Sequence, residues 1–368
     1  MERRRFLQSI AAGTMAAARP ACPSAPPKPN LMILAAGRWP AQALETAGNP
    51  DVHLPNLRKL AEGGAAFTRA YAAYPLPDPS RAALLTGHFP HSCGVLHQGG
   101  TLPSGMTRLS DPLKRLGYRT GYFGEWRAVD PRPREHGFDE SGSRAEDAAA
   151  FLGRGEGPFF VFCALALPDP PALKDTRLYS PGDMHLRPNV PVGSANRAAA
   201  GYAASYTRFS AADGQIGNLL RLLEERGLAR DTIAVFTADC GDLLGSHGLD
   251  GADSWYEESA GVPLLVRYPR LLKSGKRGLL VSNVDLMPTL LSLCGAPVPD
   301  GVQGTDLSGP ILRSGSNRPE SIYAEGALGL PGEWRMIVRG LDKLVVDPSL
   351  RVLHLYNLGE DPGEMTDL

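Results

Sequence analysis

Four stretches of uninterrupted apolar residues constrain this chain most: residues 30–34 (NLMIL), 159–166 (FFVFCALA), 232–237 (TIAVFT) and 263–266 (PLLV). A strand with one wet face alternates polar and apolar residues, so continuous runs of this length predict strands covered on both sides. Helical patterns lie between them at 57–61, 81–86, 109–116 and 202–226, and each stops at a glycine: Gly63, Gly87, Gly117 and Gly227. Glycine is the expected helix stop because it enters the left-handed region without a Cβ penalty. This alternation predicts an α/β fold, with a mostly parallel central sheet and helices on both faces. In such a fold ligands gather beyond the carboxyl ends of the strands. Past Gly315 the pattern changes. Short strand-like pieces at 320–323, 334–338, 343–346 and 352–356 predict a small antiparallel sheet, so the expected units are residues 29–315 and a C-terminal subdomain, 316–368, packed on them.

The 368 residues carry 38 basic and 39 acidic side chains. With that balance no global field recruits nucleic acid or an anionic membrane, and any charge logic is local. The N-terminal 1–28 stand apart. Arg3, Arg4 and Arg5 precede Phe6 and Leu7, then an Ala-rich run and a Pro-rich tail. That order resembles a twin-arginine export signal and predicts an exported, periplasmic or extracellular protein; a frayed basic terminus is the alternative. No later stretch approaches the roughly 18 consecutive apolar residues of a membrane-spanning helix. The five cysteines (22, 93, 163, 240 and 294) show no paired metal-binding spacing, so zinc is not expected. Those of the folded part are expected to be buried apolar residues and not disulfide staples.

Collinear motifs then narrow the reading: LPNLRKLAEGGAAFTRAYA (54–72), PSRAALLTGHFPH (79–91), LGYRTGYFGEW (116–126), TIAVFTADCGDLLGSHGL (232–249), YEESAGVPLLVRYP (256–269) and LYNLGEDPGEMTDL (355–368). On these segments nearly the whole chain from Pro29 resembles the sulfatases of the alkaline-phosphatase superfamily, which implies an alkaline-phosphatase-like fold. The resemblance also implies a chemistry. A formylglycine made from cysteine or serine hydrates and attacks sulfur, carboxylates hold a calcium or magnesium ion, and lysines and histidines neutralise the developing charge.

The positions that should carry this chemistry have changed. Where the family has Cys-x-Pro-Ser-Arg, Pro79, Ser80 and Arg81 match but the nucleophile position is Pro77, and no Cys or Ser occurs from Tyr71 to Asp78. The acidic pair expected after the first strand falls on Ala35, Ala36, Gly37 and Arg38. Asp239 survives from the later metal pair, followed by Cys240. Where Gly-Lys-Trp-His is expected the chain has Gly124, Glu125, Trp126 and Arg127, and a lysine position is Ala252. The Pro-His after the 159–166 strand is Pro168 and Asp169. Only Arg81 and Asp239 remain as family-matching remnants. One carboxylate cannot compete with water for a hard divalent ion that wants about six oxygens, so no metal and no cofactor is expected, and neither is catalysis.

Three readings of the altered site follow. In the first, salt bridges among Arg81, Arg127, Asp239, Glu125 and Asp169 fill the former cleft. In the second, Ser80 and Arg81 stand at a helix start, with Arg127 as second clamp, and bind a sulfated or phosphorylated small molecule or glycan. In the third, a rewired ester hydrolase uses Asp78 or Ser80 with His88, His91 or Asp242. Cys240 and His247 are expected to be structural.

Overall fold

The computed structural model describes residues 27–124, 137–167, 178–312 and 318–368. The apolar runs form the centre of an eight-stranded sheet. β1 (Asn30–Ala36) lies between β5 (Phe159–Leu165) and β6 (Thr232–Ala238), parallel to both, and every residue of the three strands is buried. Outward from β5 lie β3 (Arg119–Gly124) and β4 (Glu140–Gly142); outward from β6 lie β7 (Leu264–Arg267), β2 (Ala65–Tyr71) and β8 (Gly275–Ser282). β7 departs from the expected parallel arrangement by running antiparallel to both β6 and β2. A run of buried side chains reports coverage of both faces but not strand direction.

Helices cover the sheet. α1 (Pro55–Glu62) and the long α3 (Ala195–Glu225) contribute Leu57, Leu60, Tyr202, Phe209, Ile216 and Leu223 to the core. α2 (Pro77–Thr86) leaves the β2 edge, and Gly87 ends it at φ 68° with its N–H donating to Ala83 O. A Cβ at Gly87 would meet Val302 Cγ1 at 2.7 Å, so dihedral and packing both require glycine. This helix begins earlier than expected. Pro77 is its first residue, which proline tolerates because that N–H would be unpaired anyway.

The C-terminal sheet orders β12 (Val352–Asn357), β11 (Asp342–Val346), β10 (Trp334–Arg339) and β9 (Ser321–Gly326), all antiparallel. Trp334, Met336, Val338 and Val345 pack with Tyr71, Ala260 and Leu280 of the main domain. The Gly315 boundary lies outside the described residues, as do the N-terminal arginines and Cys22. Cys93, Cys163, Cys240 and Cys294 are free and buried, as expected. Among the described residues no helix is long and apolar enough to cross a membrane.

Candidate functional site

The carboxyl edge of the parallel strands brings together Gly37 after β1, Asp239 after β6, Asn283 after β8 and the first turns of α2. Asp239 is fixed by its own backbone, whose N–H donates to Ala36 O at 2.9 Å and extends the β1–β6 ladder by one bond. Arg81 reaches it from the second turn of α2. Its Nε donates to Oδ1 at 3.1 Å and its Nη2 to Oδ2 at 2.9 Å, a bidentate pair with both side chains almost wholly excluded from water. Burial alone would pull the Arg81 guanidinium down; Asp239, and after it Tyr122, outweighs this and holds it above its ordinary value. Arg81 Nη1 also donates to the Tyr122 hydroxyl at 3.4 Å, and burial pushes the Tyr122 phenol well up.

Around this pair the first turns of α2 offer few free donors, although Asp78 Oδ1 is buried without a hydrogen-bond partner. Pro77 and Pro79 have no N–H, and the Ser80 N–H donates to Leu76 O at 3.0 Å. Ser80 therefore sits in the second turn and not at the helix start, a correction to the expected anion cradle. Nor is it a cap, because its hydroxyl and carbonyl both accept from Asn283 Nδ2, at 2.7 and 3.0 Å. Asn283 Oδ1 in turn accepts the Ala73 N–H at 2.9 Å, so one buried amide joins the ends of β2 and β8 to α2. Asp78 fills the first turn with a negative charge, where the helix dipole favours it. Its Oδ2 accepts the Gly99 N–H at 2.6 Å and the side chain is fully buried. Burial pushes the Asp78 carboxyl up, opposed by the Gly99 amide and by Arg81.

The other candidates separate. His91 Nδ1 pairs with Glu325 Oε2 at 2.7 Å, and Asp242 Oδ1 holds the Leu244 and Gly251 amides, so neither serves Asp78 or Ser80. Burial pushes the Cys240 thiol far up, as suits packing and not nucleophilic use. His247 stacks on Tyr256 with ring centroids 3.6 Å apart. Glu125, Arg127 and Asp169 lie outside the described residues. Sequence reasoning missed Asn283 and Tyr122, although Tyr122 lies within the family-like segment 116–126.

Among the described residues the donor set does not fit the family's ion. A Cβ built on Gly37 would lie 3.7 Å from Asp239 Oδ2, so this position faces the remnant carboxylate, yet it supplies no oxygen. Ala35 and Ala36 are buried strand residues. Both Asp239 oxygens are taken by Arg81, and Pro77 offers no sulfur or oxygen for a formylglycine.

The family model and the relatives similar in sequence agree on one family. The sulfatase family model matches residues 29–296. The ulvan-active sulfatase of Formosa agariphila is 30% identical over 335 residues, covering 77% of this chain; the chain spans just 65% of that protein's length. The endo-4-O-sulfatase of Bacteroides thetaiotaomicron is 27% identical over 360 residues, covering 76% of this chain and 70% of that protein. Among solved structures, the phosphonate monoester hydrolase of Agrobacterium radiobacter superposes with a TM-score of 0.80 at 22% identity, covering 92% of this chain and 91% of the other. A protein solved with its substrate D-glucosamine-2-N,6-O-disulfate gives 0.75 at 23%, covering 92% and 93%. At these identities the structural likeness carries the alkaline-phosphatase-like fold.

Proposed function

The chain belongs to the sulfatase family, and from that premise we propose that it is a member without sulfate ester hydrolysis, in which a buried ion pair has replaced the catalytic centre. The observation that carries this reading is the bidentate Arg81–Asp239 contact. An active site of this kind would leave Asp239 to a divalent ion; here a guanidinium neutralises the same carboxylate. Losing the ion while keeping several carboxylates would crowd like charges in a dry place. Losing Gly37's acidic counterpart together with the ion leaves Asp239 neutralised by Arg81, with the buried Asp78 carboxyl also near that guanidinium. Pro77 removes the nucleophile, and Pro77 and Pro79 together remove two of the amide donors that a helix N-terminus offers to an anion.

Purified protein incubated with aryl sulfates and sulfated sugars, with calcium or magnesium, is expected to release no sulfate above the buffer blank. Saturable turnover abolished by chelator would overturn the proposal. A second reading, retention of a sulfated or phosphorylated ligand without turnover, is supported by the substrate complex of one structural relative. It predicts that a sulfated-glycan panel raises the melting temperature and that Arg81→Ala abolishes the rise; an unchanged melting curve across the panel removes it. Export is proposed on the order of Arg3, Arg4, Phe6 and Leu7. Replacing Arg3 and Arg4 with lysine should keep the protein in the cytoplasm of a Gram-negative host, and undiminished periplasmic protein would refute the signal.

A further inference from the structure

Away from the Arg81–Asp239 pair, the 247–258 stretch and the C-terminal tail converge on a second polar centre. His247, Glu258 and Glu364 each present a lone-pair atom there, all within 4.8 Å of one another. His247 Nε2 lies 3.9 Å from Glu258 Oε2. That Oε2 is buried and accepts no hydrogen bond, although the Glu258 side chain is only 4% exposed. A dry carboxylate oxygen without a donor is costly unless something positive belongs beside it.

The surrounding groups show a surplus of acceptors. Lys343 Nζ, fully buried, bonds Glu257 Oε1 at 2.9 Å and Glu364 Oε1 at 2.6 Å. Glu257 Oε2 also accepts from the Tyr71 hydroxyl at 3.2 Å, and Glu364 Oε2 accepts the Glu257 N–H at 2.7 Å. One ammonium thus faces two carboxylates, while the Glu258 and Asp361 charges act on the imidazole of His247. Asn189 Nδ2 is directed at His247 Nε2 (3.0 Å), Glu258 Oε1 (2.8 Å) and Gly363 O (3.0 Å), three acceptors for two hydrogens, while its own Oδ1 is buried without a partner. The imidazole nitrogen therefore offers its lone pair inward, and a half turn of the Asn189 amide would bring a further oxygen to the same point.

We infer that His247, Glu258 and Glu364 form a binding site for a divalent transition-metal ion of the zinc type, distinct from the family's hard-ion position at Asp239. One imidazole and two carboxylates suit zinc better than calcium or magnesium, which take oxygen ligands. A tetrahedral ion with bonds of about 2.0–2.2 Å holds its ligand atoms roughly 3.4 Å apart, so closure asks each ligand to move inward by less than about 1 Å. Asn189 Oδ1 or water completes the set. A cavity of about 450 Å³, lined by Arg187, Asn189, Tyr202, Glu258 and Gly363, leads from solvent to Glu258 and Asn189. The ion would tie the Gly248 loop to the C-terminal tail through His247 and Glu364. Cysteine spacing carries no trace of such a site because its ligands are not cysteines.

The test uses untagged, chelator-stripped full-length protein titrated with zinc chloride by calorimetry, with metal content measured after gel filtration. One zinc per chain is expected, with affinity falling at least tenfold in His247→Ala and in Glu258→Gln and unchanged in Asp239→Asn. No uptake by the wild type, or equal uptake by the first two variants, overturns the site. Should those variants fail to fold, X-ray absorption of the zinc-loaded wild type decides: one imidazole with oxygen neighbours is expected, and sulfur ligation or no imidazole refutes it. Loss of binding in Asp239→Asn alone would instead place the ion at the family position and count against the proposed function.

Discussion

Arg81→Met withdraws the positive partner from a carboxylate whose side chain is 2% exposed. Methionine fills a similar volume but leaves Asp239 with the cost of a buried, uncompensated charge, about 3–5 kcal/mol when one member of such a pair is removed. The 315 described residues give an unfolding entropy of about 0.7 kcal/mol/K at roughly 2.1 cal/mol/K per residue. The melting temperature should therefore fall by about 4–7 °C, measured by calorimetry at neutral pH. The double variant Arg81→Met/Asp239→Leu removes both charges and should recover most of that loss, because replacing a whole buried pair by apolar groups is nearly neutral. Melting of the single variant within about 1 °C of wild type, or a double variant that loses the sum of the two singles, would refute the argument that Arg81 is the counter-ion of Asp239.

Asn283→Ala removes the acceptor of the Ala73 N–H and both donors to Ser80; at about 1 kcal/mol per bond it should cost roughly 3 kcal/mol in urea unfolding, and a cost below about 1 kcal/mol would mean that the strand ends and α2 are not joined through this amide. Asp285 gives a pH signature. Burial raises its carboxyl from 3.8 to about 6, against the Thr305 and Ser282 amides that it accepts. The folded state then binds the proton more tightly than the unfolded chain, so the contribution is complete below about pH 4 and is lost as pH rises through 6. At 1.36 kcal/mol per unit the loss is on the order of 3 kcal/mol. Asp285→Asn, neutral throughout, should flatten the melting-temperature profile between pH 4 and 6.5; parallel profiles for the two proteins would contradict it.

The parts of the fold legible in the sequence were those where packing leaves a continuous pattern. β1, β5 and β6 are buried along their whole length, and their apolar runs said so. β8 was not legible because its first half, Gly275–Gly278, is largely exposed and charged, and only Leu279–Ser282 enters the core. β3 was hidden by its two glycines, one of which, Gly124, has φ 110° and would place a Cβ 1.9 Å from Ala164 O. The start of α2 was misplaced because Pro77 and Pro79 read as an extended approach, whereas the first turn of a helix needs no amide hydrogens from either. At the site, Arg81 and Asp239 could be paired in advance because the resemblance to the sulfatases places both in one cleft. Asn283 and the His247–Glu258–Glu364 centre could not, since their partners are far apart in sequence and no local period links them.

The central claim is that a guanidinium has taken the place of a metal ion against Asp239. Calorimetric titration of the chelator-stripped wild type with calcium chloride tests it most directly. No heat beyond dilution is expected up to millimolar calcium, in wild type and Asp239→Asn alike; stoichiometric binding to the wild type that disappears in Asp239→Asn would show that the carboxylate still holds the ion.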